Sequence, residues 1–202
     1  MSDHHESPET KLALDRIIFF SDAVFAIAIT LLALELRVPD MPTSQVAVEM
    51  PQRLAGMMPK FVSFILSFVI IGSYWRAHHR DFLYIQRWDT RLIWINLMLL
   101  MFVAFLPFPT AMLGNYPAAQ STVTFYAGTL AFLGFTRTLL WWYASRNHRL
   151  IDRTLDPRFI ARLNQRGLIA PVIFLLSIIV AVFNPLIAMW MWGLVGLTFA
   201  LR

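Results

Sequence analysis

The sequence predicts an all-α membrane protein with six transmembrane helices per protomer. Three observations carry that reading. The chain is 58% hydrophobic and 14% charged, whereas soluble domains have about 45–50% apolar and about 25% charged residues. Its mean hydropathy is +0.60, and the apolar excess runs along the whole chain rather than in one segment. The basic residues cluster in alternate connections between apolar runs, as expected of a chain that crosses a bilayer repeatedly.

A spanning helix needs about 20 mostly apolar residues. The first span is predicted from Arg16 to about Leu36, and the second from about Met57 to Trp75. The third runs from Leu92 to Leu113 and the fourth from about Thr122 to Tyr143. The fifth and sixth lie on either side of Asn184-Pro185, about Leu168–Phe183 and Leu186–Leu201. These last two are short at about 1.5 Å per residue. Residues 1–14 read as a cytoplasmic N-terminal tail without the apolar core of a signal peptide, and 15–202 as a single six-helix domain. The segment 38–59 carries Pro39, Pro42, Pro51 and Pro59 and reads as an irregular external loop.

The N-terminal tail and the 76–91 and 145–167 connections hold Lys11, Arg16, Arg76, Arg80, Arg87, Arg91, Arg146, Arg149, Arg153, Arg158, Arg162 and Arg166. The other connections hold only Arg53, with Arg37 and Lys60 at their borders. The positive-inside rule therefore puts both termini in the cytoplasm, and the basic 145–167 segment on anionic membrane lipids. Nothing resembles a nucleic-acid reader. The absence of cysteine excludes disulfides and thiolate chemistry. His4 and His5 are too few for a metal site. No enzyme motif appears, so no catalytic residue and no cofactor is expected. A carbonyl filter of the glycine-tyrosine-glycine type is excluded as well.

The first span contains an acid, Asp22, and a mid-span threonine, Thr30. Successive helical residues turn by about 100°. On that wheel Arg16, Phe20, Ala23, Thr30, Leu31 and Leu34 lie within about 60° of Ile27. Asp22, Phe25, Ile29, Leu32 and Leu36 lie opposite. On periodicity alone the Ile27/Thr30/Leu34 stripe reads as helix packing, with Thr30 bonded to its own i−4 carbonyl. In a second reading, several copies of this helix make a constriction of aliphatic rings with a threonine ring between them. Asp22 reads either as a structural acid or as an ion site; its angle away from the stripe favours the structural role. A histidine donor at His78 or His79 would satisfy it.

Other features have plainer readings. Trp75, Arg76, His78, His79 and Arg80 read as an interfacial belt, and the two adjacent histidines must face different ways. The third span carries Asn96, then Pro107 and Pro109, which predict a kink near its external end. Arg137, inside the fourth span, either snorkels or pairs with an acid of another helix.

Phe20-Ser21-Asp22 after Arg16, followed by AVFAIAITLLALEL, resembles the first helix of the transmembrane protein 175 family of lysosomal potassium channels and their bacterial relatives. The likeness continues at Trp75 with His78-His79, at Arg91-Leu92 with Asn96-Leu97, and at Phe105 to Thr110. It implies a homotetramer whose first helices line the pore. It puts the constriction on Ile27, Thr30 and Leu34, and a network holding the pore helix on Arg16, Phe20, Ser21, Asp22 and a second-helix histidine. A single repeat implies a bacterial plasma-membrane protein. The resulting expectation is a channel selective for potassium over sodium, with potassium as its permeant ion. A proton-coupled transporter and a non-conducting scaffold are the alternatives.

Overall fold

A computed structural model describes residues 8–200, all of them helical or in connections. The helices are α1 (Pro8–Leu31), α2 (Val46–Gly56), α3 (Met58–Tyr84), α4 (Thr90–Phe105), α5 (Pro107–Asn115), α6 (Gln120–Ser145), α7 (Pro157–Phe183) and α8 (Pro185–Ala200). Among the described residues, five stretches are long and apolar enough to cross a membrane: Glu9–Glu35, Met58–Tyr84, Thr90–Asn115, Gln120–His148 and Pro157–Phe183. At 16 residues, α8 is about 24 Å long, short of a hydrocarbon core of about 30 Å. The sixth expected crossing therefore rests on a helix below that length.

The helices outrun the predicted spans at the arginine-rich end. The second span was expected to stop at Trp75, but α3 continues to Tyr84. The fifth was expected from Leu168, but α7 starts at Pro157. Hydropathy marks where a helix leaves hydrocarbon, not where its backbone hydrogen bonds stop. Arg76, Arg80, Arg158, Arg162 and Arg166 are thus helical rather than in loops. Likewise α1 starts at Pro8, inside the stretch read as a tail; His4 and His5 lie outside the described residues. The proline-rich segment expected to be an irregular loop is largely helical: a 3-10 turn over Thr43–Gln45 leads into α2, which Met57 alone separates from α3 and which buries none of its side chains.

The proline break is where the sequence puts it. The helix stops at Phe105 and resumes at Pro107, because a proline ring has no N–H to give the preceding turn. Thr110 stands one turn beyond the break. Its Oγ1 lies 2.8 Å from the Leu106 carbonyl oxygen and 2.8 Å from Ser67 Oγ, which is itself 2.8 Å from the Tyr126 hydroxyl. All three side chains are buried, so this polar cluster ties α3, α5 and α6 together where an apolar solvent offers no substitute partner.

The core is centred on α6, which packs on α4, α5, α7 and α8. Trp141, Trp192, Tyr74, Tyr126, Phe25 and Phe174 are the largest fully buried side chains. At Gly134, a Cβ would meet the Tyr74 hydroxyl at 2.8 Å and the Pro171 ring at 2.9 Å. The close approach of α3, α6 and α7 there needs the missing side chain.

A clasp closes the arginine-rich end. Ile85 and Ile151 form an isolated antiparallel bridge, and the Arg87 guanidinium donates to the His148 carbonyl at 2.9 Å. Asp89 caps α4 by accepting from the Leu92 amide at 2.8 Å, and accepts from the Tyr143 hydroxyl at 2.6 Å. Burial by itself raises the Asp89 pKa. The Tyr143 hydroxyl, the Leu92 amide and Arg149 outweigh it and hold the carboxyl below its ordinary value.

Candidate functional site: the outer face of the first helix

The helix α1 lies at the edge of this bundle, packed on α3 and α4. Its buried residues are Leu14, Ser21, Phe25, Ala28 and Leu32. They recur every three, four or seven positions and form one stripe, about 130° around the axis from Ile27. The opposite stripe is left open by the described residues. Ile27 is 58% exposed, Leu34 66% and Phe20 55%, and Ala23 and Thr30 are exposed beside them. The periodicity of α1 is therefore split between two apolar faces, only one of which is used for packing inside the chain.

The end of α1 keeps that outer face in line. After Leu31 the helix tightens into a 3-10 turn over Leu32–Glu35. Residues three apart eclipse in such a turn, so Leu34 stands above Leu31. Thr30 donates its hydroxyl hydrogen to the Ile27 carbonyl at 2.8 Å, one residue nearer than the i−4 carbonyl expected. With its hydrogen committed to the helix, the oxygen keeps its lone pairs for the exposed side. The face thus presents two aliphatic side chains, Ile27 and Leu34, with one oxygen acceptor, Thr30 Oγ1, between them.

Asp22 stands off this face and is half-buried. Its partner is not the expected histidine: the Trp75 indole N–H donates to Asp22 Oδ1 at 2.8 Å. The difference follows from rotation along α3. His78 is about 60° around that helix from Trp75, which turns it inward. It is 1% exposed, with its ring between those of Phe25 and Phe82. His79 is exposed and stacks on Trp75 with centroids 5.9 Å apart. The two histidines do face different ways, as their adjacency required.

The inward histidine reaches the first helix through an asparagine. His78 Nε2 lies 2.9 Å from Asn96 Oδ1; an amide oxygen only accepts, so Nε2 carries the proton and donates. Asn96 Nδ2 donates to Ser21 Oγ at 2.9 Å, and Ser21 donates to the Ile17 carbonyl at 2.8 Å. Ser21, His78 and Asn96 are all buried. The relay joins α1, α4 and α3 on the inner side of the first helix. Of the residues expected in a network, Ser21 and His78 are in this relay. Asp22 and His79 meet at Trp75. Phe20 is exposed on the outer stripe. Arg16 borders an open groove with Glu9, Leu12, Trp88 and Ile93, and among the described residues no hydrogen bond or ion pair joins it to Asp22.

A second polar anchor was less legible. Arg137 donates to both Asp81 oxygens, at 2.9 and 2.6 Å, so the pairing reading of Arg137 is the one realised. Asp81 is fully buried and Arg137 7% exposed. Asp81 was hidden in a stretch that reads as a basic loop; only its spacing of three and seven residues from His78 and Tyr74 could have marked it as inward-facing.

The fold and this site define a helical membrane protein whose N-terminal span is held on its inner side by polar contacts and bare on its outer side. A family model described as the endosomal/lysosomal potassium channel TMEM175 matches residues 16–107. A potassium channel of Chamaesiphon minutus is 32% identical over 98% of this chain and 98% of its own length. A potassium channel of Streptomyces collinus is 37% identical over 70% of this chain and 69% of its own. The crystal structure of a lysosomal potassium-selective channel TMEM175 homolog from Chamaesiphon minutus is similar with a TM-score of 0.83 and 30% identity, covering 94% of this chain and 97% of that one. The chain belongs to the TMEM175 family.

Proposed function

We propose that this chain is a potassium channel of the plasma membrane, selective for potassium over sodium, in which four copies bring their first helices together around one axis. The potassium channels of Chamaesiphon minutus and Streptomyces collinus support the permeant ion. The observation that carries the pore assignment is the outer stripe of α1, where Ile27, Thr30 and Leu34 are left open by the described residues while Ser21, Phe25, Ala28 and Leu32 on its other side are buried. Lipid alone would accept an apolar outer face, but it has no use for the Thr30 oxygen set between Ile27 and Leu34 on that face; a polar group there suits contact with other helices or a water-filled path. In that assembly Ile27 and Leu34 form two aliphatic rings with the Thr30 oxygens between them. Such rings favour the ion that sheds water more cheaply, which is potassium.

In this reading Arg16, Phe20, Ser21, Asp22, His78 and His79 are positioning residues that fix the pore helix, rather than ion ligands. In this reading α8 completes a sixth crossing, and both termini lie on the cytoplasmic side with the arginine-rich clasp. Residues 15–202 act as one channel domain.

The test is flux from liposomes holding purified protein, compared for potassium, sodium and protons. Potassium flux exceeding sodium flux is the expected result. Ile27→Asn and Leu34→Asn should raise total flux and reduce the difference between the two cations. Saturable, coupled uptake would point to a transporter instead, and no flux for any ion would point to a scaffold.

A further inference from the structure

Away from the pore face, α3 carries a second organised stripe. Val62, Ile65, Val69, Ser73, Arg76, Arg80 and Leu83 fall within an arc of about 80° on the helical wheel. Its first part is apolar and open: Val62 is 50% exposed, Ile65 58% and Val69 51%. Its second part turns basic and enters a cavity of about 270 Å³ lined by Ser73, Arg76, Ala77, His79, Arg80, Leu83 and, from α6, Arg137.

The cavity is built for negative charge. Arg76, Arg80 and Arg137 line it, and among the described residues Asp81 beside them is bound by Arg137 at 2.6 Å and touched by Arg80 at 3.5 Å. The Nε–H groups of Arg80 and Arg137 are buried and find no acceptor among the described residues. Those two donors lie beneath the surface, so an anion in the cavity meets the outer guanidinium nitrogens: the Arg80 side chain is 34% exposed, and a group with several acceptor oxygens suits such forked donors.

We propose that this cavity binds the phosphate of an anionic phospholipid, with an acyl chain lying along Val69, Ile65 and Val62. The stripe selects a lipid over a soluble phosphate. From Arg76 to Val62 it runs about 21 Å along the helix, enough to cover one leaflet's hydrocarbon of about 15 Å. The basic end sits beside Trp75, an aromatic 41% exposed of the kind that marks the headgroup level. Basic pockets between spanning helices bind such headgroups.

Native mass spectrometry of the purified full chain in detergent, with phosphatidylglycerol, phosphatidylcholine or inorganic phosphate added, tests this. Phosphatidylglycerol should be retained roughly tenfold or more over phosphatidylcholine. The double variant Arg76→Gln with Arg80→Gln should lose that preference, and Arg76→Lys with Arg80→Lys should keep most of it. Both variants keep Asp81 and Arg137 and give up only the 3.5 Å Arg80–Asp81 contact, and an unchanged melting temperature checks their fold. Equal retention of the two lipids, or unchanged retention in the double glutamine variant, overturns the proposal. Displacement of the lipid by equimolar inorganic phosphate would assign the cavity to a soluble anion. A change of oligomeric state with no change in lipid retention would assign the stripe to a subunit contact. Either outcome overturns it too.

Discussion

The indole nitrogen of Trp75 donates to the Asp22 carboxylate at 2.8 Å, so the acid of the first helix is tied to its neighbour by a neutral donor on α3. A hydrogen bond to a charged acceptor contributes about 1.5–3 kcal/mol, and partial exposure puts this one at the lower end. Trp75→Phe keeps the ring and removes the donor. The protein in detergent should melt lower, while the potassium-to-sodium ratio of the remaining flux stays as it was. A changed ratio at unchanged stability would make Asp22 a permeation residue.

Asn96 is the middle of the His78–Asn96–Ser21 relay and bonds on both sides. Asn96→Leu matches its size but strands a buried imidazole and a buried hydroxyl. Each stranded group costs about 1–3 kcal/mol. The variant should unfold well below the wild type in a thermal scan, and Asn96→Asp should also lose the amide donor to Ser21. A wild-type melting curve for Asn96→Leu would mean that the relay holds nothing.

The Asp81–Arg137 pair is buried on both sides. Breaking such a pair by removing one partner costs about 3–5 kcal/mol, whereas replacing both with apolar groups is often neutral. Asp81→Leu alone should therefore fail or nearly fail to give folded protein. The double change with Arg137→Met should recover most of the yield, as measured by monodisperse protein in gel filtration. Equal loss in the single and double variants would contradict this.

Asp89 carries a pH signature. Its folded pKa lies below the ordinary value, so the folded state binds this proton less well than the unfolded chain. That share of stability is present above the usual aspartate range of about 3.9 and disappears as pH falls through the lower folded value. The fluorescence of neighbouring Trp88 should report loosening of the clasp in that acid range. Asp89→Asn still caps α4 and should remove that transition.

The apolar spans were legible because bilayer crossing imposes length and hydropathy on every one of them. The two-faced α1 was legible because helical angle alone separates Ile27 and Leu34 from Phe25 and Leu32. The proline break before Pro107 could be read from the missing N–H. The charged helix extensions were not: Arg76 to Tyr84 and Pro157 to Arg166 are too polar for a hydropathy scan, yet their backbones remain helical. The partner of Asp22 was missed for a geometric reason. Trp75 and His78 are three residues apart, and only the rotation of α3 against α1 and α4 decides which of them faces the acid. Asp81 was missed because one acid among many arginines reads as a solvated charge.

The pore assignment is tested most directly by labelling the outer stripe in a chain with no cysteine of its own. Leu34→Cys and, as control, Phe183→Cys on the far helix α7 would each be reconstituted and treated with a membrane-impermeant thiol reagent during a potassium flux measurement. Modification at Leu34 should block most of the flux, and modification at Phe183, 86% exposed, should leave it unchanged. A fully modified Leu34→Cys channel that conducts like the wild type would contradict the account.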